Sequence, residues 1–239
     1  MTDSKRADSV PGALRTVSLF AGCGGMDRGF LGGFTSLGRW YDRHPFSIVW
    51  ANELNSTACA TYRKNFPHPI VEGDIWNQMD LLPTSADVVI GGFPCQDVSV
   101  NGKGAGVAGK RTGLYRAMVE VIKRTEPRVF VAENVKGLLT QKHREDLEII
   151  ISDFRDLGYD VRIDLYCAHH YGVPQTRERV FIVGTRSDTP TFQPPDRVLG
   201  IGEFVTAEEA IWDLEFLPPD HAWSHIWSLA KQSPEQGCR

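Results

Sequence analysis

The chain predicts a doubly wound α/β fold on a mostly parallel sheet. Short, nearly uninterrupted apolar runs alternate with helix-compatible stretches, and the first of these runs ends in a glycine-rich turn. Runs that are apolar on both faces fit strands covered by helices above and below, as parallel sheets require. At 239 residues the chain is long enough to bury one full-sized core.

The elements follow in order. Residues 1–13 are polar, contain Pro11 and Gly12, and read as a flexible tail. Thr16 to Phe20 forms the first strand, the turn Ala21-Gly22-Cys23-Gly24-Gly25 follows, and a helix runs from Met26 to Leu31. Phe46 to Asn52 is the next strand. Asn55 then caps a helix over Ser56 to Asn65, because a short side-chain oxygen can accept from a first-turn amide. A short β run, Ile70 to Ile75, precedes the buried strand Ala86 to Gly91. Beyond it lie a helix (Leu114 to Arg124), a strand (Arg128 to Ala132) and a charged helix (His143 to Leu157). Two more strands, Tyr159 to Cys167 and Arg179 to Gly184, can pair antiparallel at one edge. From residue 189 the composition turns proline-rich, with one short helix from Ala207 to Leu214, so residues 14–188 form the main domain and 189–239 begin as a linker.

Composition narrows the class. A 41% apolar and 23% charged chain is an ordinary globular protein, and a net charge of -4 excludes one that is basic all over. Nucleic acid would have to meet local clusters of Lys and Arg. The five cysteines are odd in number and form no C-x-x-C pair, which points to free thiols in a reducing compartment and to no metal site. No run approaches the roughly 18 apolar residues of a membrane span, and the first residues lack an apolar signal region. The expected location is cytoplasmic, with no membrane partner.

Four segments carry chemistry. The glycine turn lets the backbone approach a ligand at the carboxyl end of a strand, where doubly wound folds bind nucleotides. Glu53 ends the next strand, where a carboxylate can accept from both ribose hydroxyls, and Asp74 ends the third β run, in reach of an adenine amino group. Two such acids beside a glycine turn favour an adenosine-containing cofactor. Second, Gly91-Gly-Phe-Pro-Cys-Gln96 places Cys95 after a proline at the exit of a buried strand, a position suited to a nucleophile. Third, Phe130-Val-Ala-Glu-Asn-Val135 is a strand ending in an acid, Glu133, on the same edge as Cys95. Fourth, in Gln175-Thr-Arg-Glu-Arg179, alternation puts Gln175, Arg177 and Arg179 on one face.

The order of these segments resembles that of the DNA cytosine-5 methyltransferases: Phe20-Ala-Gly-Cys-Gly-Gly25, Pro94-Cys-Gln96, Glu133-Asn-Val135 and Gln175-x-Arg-x-Arg179 match that family's motifs across residues 16–186. The resemblance implies a Rossmann-like methyltransferase fold, S-adenosyl-L-methionine as donor, S-adenosyl-L-homocysteine as product, and double-stranded DNA whose target cytosine is flipped out. It implies a cofactor site of Phe20, Ala21, Gly22, Cys23, Gly24, Gly25, Glu53, Leu54, Asp74, Ile75, Pro94 and Leu114. Cys95 would add to the base, while Glu133, Arg177 and Arg179 would offset the charge that develops on it. Substrate contacts would come from Gln96, Ser99, Asn134, Val135 and Gln175, and from Lys103, Lys110 and Arg111 in a glycine-rich loop able to meet phosphates.

Members of that family continue past the arginine motif into a target-recognition domain and return with a helix that completes the cofactor pocket. Residues 189–239 hold at most the entry to that region, so a truncated or split form is expected, with a second polypeptide as a candidate partner carrying the missing segments. Two other readings use the same residues: a catalytically silent nucleic-acid-binding or regulatory homologue, and a tRNA cytosine-5 methyltransferase. The intact set of Cys95, Glu133, Arg177 and Arg179 argues against the silent form.

Overall fold

A computed structural model describes residues 12–94, 113–200 and 202–212. Its first half holds β1 (Leu14–Leu19), α1 (Gly25–Leu31), β2 (Phe34–Ser36), β3 (Arg39–Tyr41), β4 (Phe46–Glu53), α2 (Ser56–Asn65), β5 (Val71–Glu72) and β6 (Val88–Gly91). The second half adds α3 (Leu114–Thr125), β7 (Val129–Val135), α4 (Arg144–Asp156), β8 (Tyr159–Cys167), β9 (Glu178–Arg186) and α5 (Ala207–Ile211).

Seven strands form one sheet in the order β5-β4-β1-β6-β7-β9-β8. The strands from β5 to β7 are parallel, and β9 runs antiparallel to both β7 and β8. The chain winds outward from β1 to β4 and β5, then crosses back to β6 on the other side of β1. That reversal opens a crevice at the carboxyl ends of β1 and β6, where the glycine turn and Gly92-Phe93-Pro94 emerge.

Each face of the sheet carries a core. On one, Val17, Val89 and Phe130 pack with Met118 and Val121 of α3 and with Phe154 of α4. On the other, Ile48, Val88 and Ile90 pack with Cys59 and Tyr62 of α2 and with Phe66 just after it. Val88, Val89 and Ile90 thus alternate between the two cores, which is why this strand must be apolar throughout. Asn55 caps α2 as expected, its Oδ1 accepting from Ala58 N at 3.0 Å.

The structure departs from the sequence reading at several elements. A hairpin, β2–β3, occupies residues between the expected helix Met26 to Leu31 and strand Phe46 to Asn52, where the sequence predicts no element; its turn places Leu37 (φ 48°) and Gly38 (φ 72°) in the left-handed region. Such turns normally announce themselves by Asn-Gly or Asp-Gly, and leucine hides this one. The third β run shrinks to Val71–Glu72, because Asp74 bends the chain by accepting from Trp76 N at 2.9 Å. Strand β7 does not end at Glu133 but continues to Val135, where antiparallel pairing with Arg179 extends it. The proline-rich segment folds back onto the turn after β8: Val198 N and Leu199 N each donate to His170 O at 3.0 Å, and Phe204 lies 4.1 Å from the His169 ring. Free thiols are found at Cys23 and Cys59, whereas Cys167 is disulfide-bonded. Among the described residues, no helix is long and apolar enough to cross a membrane.

The β7–β9 register is held at one end by a ring over a glycine. Gly184 faces Phe130, and a Cβ there would lie 2.0 Å from Phe130 Cε1. Gly184→Ala is expected to cost about 1–3 kcal/mol through overpacking, read as a lowered urea midpoint; an unchanged midpoint would contradict this account of the register.

Candidate functional site

The crevice is built first by the turn after β1. Phe20 (φ 53°), Gly22 (φ 55°) and Gly24 (φ 89°) take left-handed backbone. At Gly24 a side chain has no room, since a Cβ would fall 2.1 Å from Phe66 Cε2. Glu53, at the end of β4, holds the turn from the side: Oε2 accepts from Gly22 N at 2.9 Å and Oε1 from Asn55 N at 2.8 Å. Each carboxylate oxygen still has acceptor capacity for a ribose hydroxyl.

Beneath the turn lies a buried polar chain. Asp27 is fully buried; its Oδ1 accepts from Ser18 Oγ at 2.6 Å and its Oδ2 from the Tyr62 hydroxyl. The Tyr62 hydroxyl is 2.6 Å from His68 Nε2. Because that hydroxyl gives its proton to Asp27, this order of bonds assigns His68 the Nε2–H tautomer. Burial raises the Asp27 carboxyl and the Tyr62 hydroxyl above their ordinary pKa ranges. Burial, helped by the nearby Arg28 charge, lowers the His68 imidazole to about 4.

The opposite wall comes from β6, β7 and β9. Val135 pairs with Arg179 and Glu133 with Phe181, so Glu133 and Arg179 are diagonal neighbours on one face. Arg179 Nε lies 2.8 Å from Glu133 Oε1, and Arg177 Nη2 lies 4.0 Å from the same oxygen. The Glu133 carboxylate closes over Gly92, where a Cβ would stand 3.0 Å from Oε2. Asn134 is 2% exposed and its amide is committed to the protein: Nδ2 donates to Phe93 O at 2.9 Å and Oδ1 accepts from Val135 N at 2.8 Å. It therefore braces the strand exit that leads to Cys95 rather than presenting its amide to a substrate.

A cavity of about 790 Å³ joins these walls, with Phe20, Ala21 and Gly25 at one side and Gly92, Glu133 and Arg179 at the other. Gly22, Cys23, Gly24, Glu53, Leu54, Asp74, Ile75 and Leu114 do not line it. Of these, Cys23, Leu54 and Asp74 are exposed, whereas Ile75 is 2% exposed and belongs to the core. Gln175 is exposed in the turn before β9, and Pro94 is exposed. Cys95, Gln96, Ser99, Lys103, Lys110 and Arg111 lie outside the described residues. Sequence reasoning missed Asp27, Tyr166, Phe181 and Phe192, of which the last three line the cavity. Period-two alternation from Arg179 would have found Phe181; Tyr166 faces Arg179 only through the β8–β9 register.

A doubly wound sheet with an antiparallel β9 and a glycine turn after β1 is a methyltransferase fold. A crystal structure of a Spodoptera frugiperda DNMT2 variant shares this fold, with a TM-score of 0.59 and 20% identity over 87% of this chain and 60% of that one. Residues 14–234 match the C-5 cytosine-specific DNA methylase family, and the chain belongs to it. Type II methyltransferase M.NgoFVII of Neisseria gonorrhoeae is 41% identical over 82% of this chain and 52% of its own length. Type II methyltransferase M.FnuDI of Fusobacterium nucleatum is 36% identical over 84% of this chain and 56% of its own. The chain thus spans about half the length of these relatives.

The polar chain under the turn makes stability depend on pH. The folded pKa of His68, about 4, lies below its ordinary 6.5, so the unfolded chain binds more protons there between those values. The stability that His68 contributes is complete above pH 6.5 and is lost as pH falls toward 4. Asp27, shifted upward, opposes this at the acid end. His68→Gln keeps a donor for Tyr62 but cannot titrate. Its melting temperature is expected to fall less steeply across this range, and a slope equal to that of the wild type would contradict the assignment.

Proposed function

We propose that residues 14–188 form the catalytic domain of a DNA cytosine-C5 methyltransferase of the restriction-modification type, acting in the cytoplasm on nucleoid DNA. The observation that carries the reading is the Glu133–Arg179 pair, 2.8 Å apart, in one cavity with the glycine turn and beside the strand exit that leads to Cys95. Membership of the C-5 cytosine family and the names of the relatives support it.

The family and fold imply S-adenosylmethionine, and the turn fits it. A Cβ built on Gly25 meets nothing within 4 Å, which leaves an open cradle beside the cavity. Phe20, Ala21, Gly22 and Gly24 would hold the cofactor against the backbone, and Glu53 would take the ribose hydroxyls. Asp74, through the carboxylate oxygen not bonded to Trp76 N, would take the adenine amino group. When bound, S-adenosylmethionine supplies the electrophilic methyl group that C5 accepts.

The protein's own groups make C5 reactive. A thiolate at Cys95 forms a bond to C6 of the extruded base, and the C5–C6 π electrons move onto C5 to give an enamine. Glu133, carrying a proton that it shares with ring nitrogen N3, and Arg179, with Arg177 behind it, donating to the O2 oxygen, both offset the negative charge that builds as sulfur adds. Once C5 is methylated, loss of the C5 proton returns electrons to the ring. The C6–S bond then breaks and frees the thiolate. Asn134 acts before any of this, by fixing Phe93 and with it the approach of Cys95.

DNA carrying 5-fluorocytosine has no C5 proton to lose, so it should trap the chain as a covalent adduct in the presence of S-adenosylmethionine. Cys95→Ser should form none on a denaturing gel. An adduct that persists in this variant would remove Cys95 from its role.

A further inference from the structure

We propose that Asp27 is the positioning residue of the cofactor turn, closing it across its base and so setting the shape the cofactor meets. The inference rests on the cofactor reading above and adds a residue that makes no contact with the cavity. Asp27 does not line the cavity, whereas Ser18, Gly25 and Met26 around it do.

Asp27 is the third residue of α1, where an acid commonly reaches back to the amide of the helix cap. Here the Gly24 amide donates instead to Ala21 O at 2.9 Å, and α1 begins without a side-chain cap. The carboxylate turns inward. Ser18 precedes the turn and Asp27 follows it, so their 2.6 Å bond ties its two ends together. The second oxygen is tied by Tyr62 to α2, the helix capped at its end by Phe66, whose ring lies under Gly24. His68 completes the chain behind Tyr62. A buried carboxylate is tolerated only when its lone pairs are met, and two hydroxyl donors meet them here. Three elements, β1, α1 and α2, are thereby locked at the one place where the backbone must stay in left-handed conformations.

Asn is a poor substitute for this carboxylate. Its Nδ2 is a donor where Oδ2 accepted from Tyr62, so the contact survives only if the Tyr62 proton turns to His68 Nε2 and the imidazole takes its other tautomer, and a charge-assisted bond becomes a neutral one.

The test measures S-adenosyl-L-homocysteine binding by calorimetry, and amide hydrogen exchange in residues 20–25 without ligand. Asp27→Asn is expected to weaken the dissociation constant about tenfold, the effect of trading a charge-assisted hydrogen bond for a neutral, reversed one beneath the turn. It should also speed exchange at Gly22 and Gly24. Tyr159→Phe, which removes the buried bond to Pro127 O at the end of the sheet away from the turn, should leave both readings at wild-type values and so separates positioning from general loosening. If Asp27→Asn does not fold, Ser18→Ala carries the same test, removing only the bond that closes the base. Unchanged binding and unchanged exchange overturn the assignment. A wild-type chain that binds no S-adenosyl-L-homocysteine overturns the cofactor reading instead, and the exchange result still decides whether Asp27 shapes the turn.

Discussion

One strand running against its neighbours sets the geometry of the site. With β9 antiparallel to β7, the end of one strand and the start of the other meet at the same edge, bringing Arg179 beside Glu133. A slip of one residue would send Arg179 to the far face of the sheet, because side chains alternate. The register is therefore fixed at both ends, by the Phe130 ring over Gly184 and by the ion pair itself. Extension of β7 past Glu133 follows from the same pairing. It also lets Asn134, on the opposite face from Glu133, reach the Phe93 carbonyl of the adjacent segment.

Much of this was legible in the sequence. Apolar runs such as Val88–Gly91 gave away a strand covered on both faces, and the order of the glycine turn, Cys95, Glu133 and the two arginines gave away a family. A cap such as Asn55 obeys local chemistry and was found where it was expected. Residues whose role depends on distant partners could not be found this way. Asp27 looks like an ordinary acid in a first helical turn, and only the meeting of β1 with α2 shows that it is buried between two hydroxyls. Asn134 sits inside a recognisable motif, but its partner lies 41 positions away in sequence.

The proline-rich stretch after β9 shows the same limit. Its composition reads as a linker, because prolines supply no ladder donors. In the fold it is anchored: the Tyr171 hydroxyl donates to Pro195 O at 3.3 Å, and Phe192 and Pro195 face the cavity. Anchoring of this kind comes from backbone carbonyls such as that of His170, and a carbonyl has no residue signature.

Glu53 has a consequence for how the site works through repeated cycles. Its two oxygens hold the Gly22 and Asn55 amides through bonds that the protein makes by itself. Fixing a residue's backbone costs roughly 1–2 kcal/mol in conformational entropy, and for the turn that cost is met when the chain folds rather than when a ligand arrives. In the proposed enzyme, this turn would then not have to be rebuilt between one methyl group and the next.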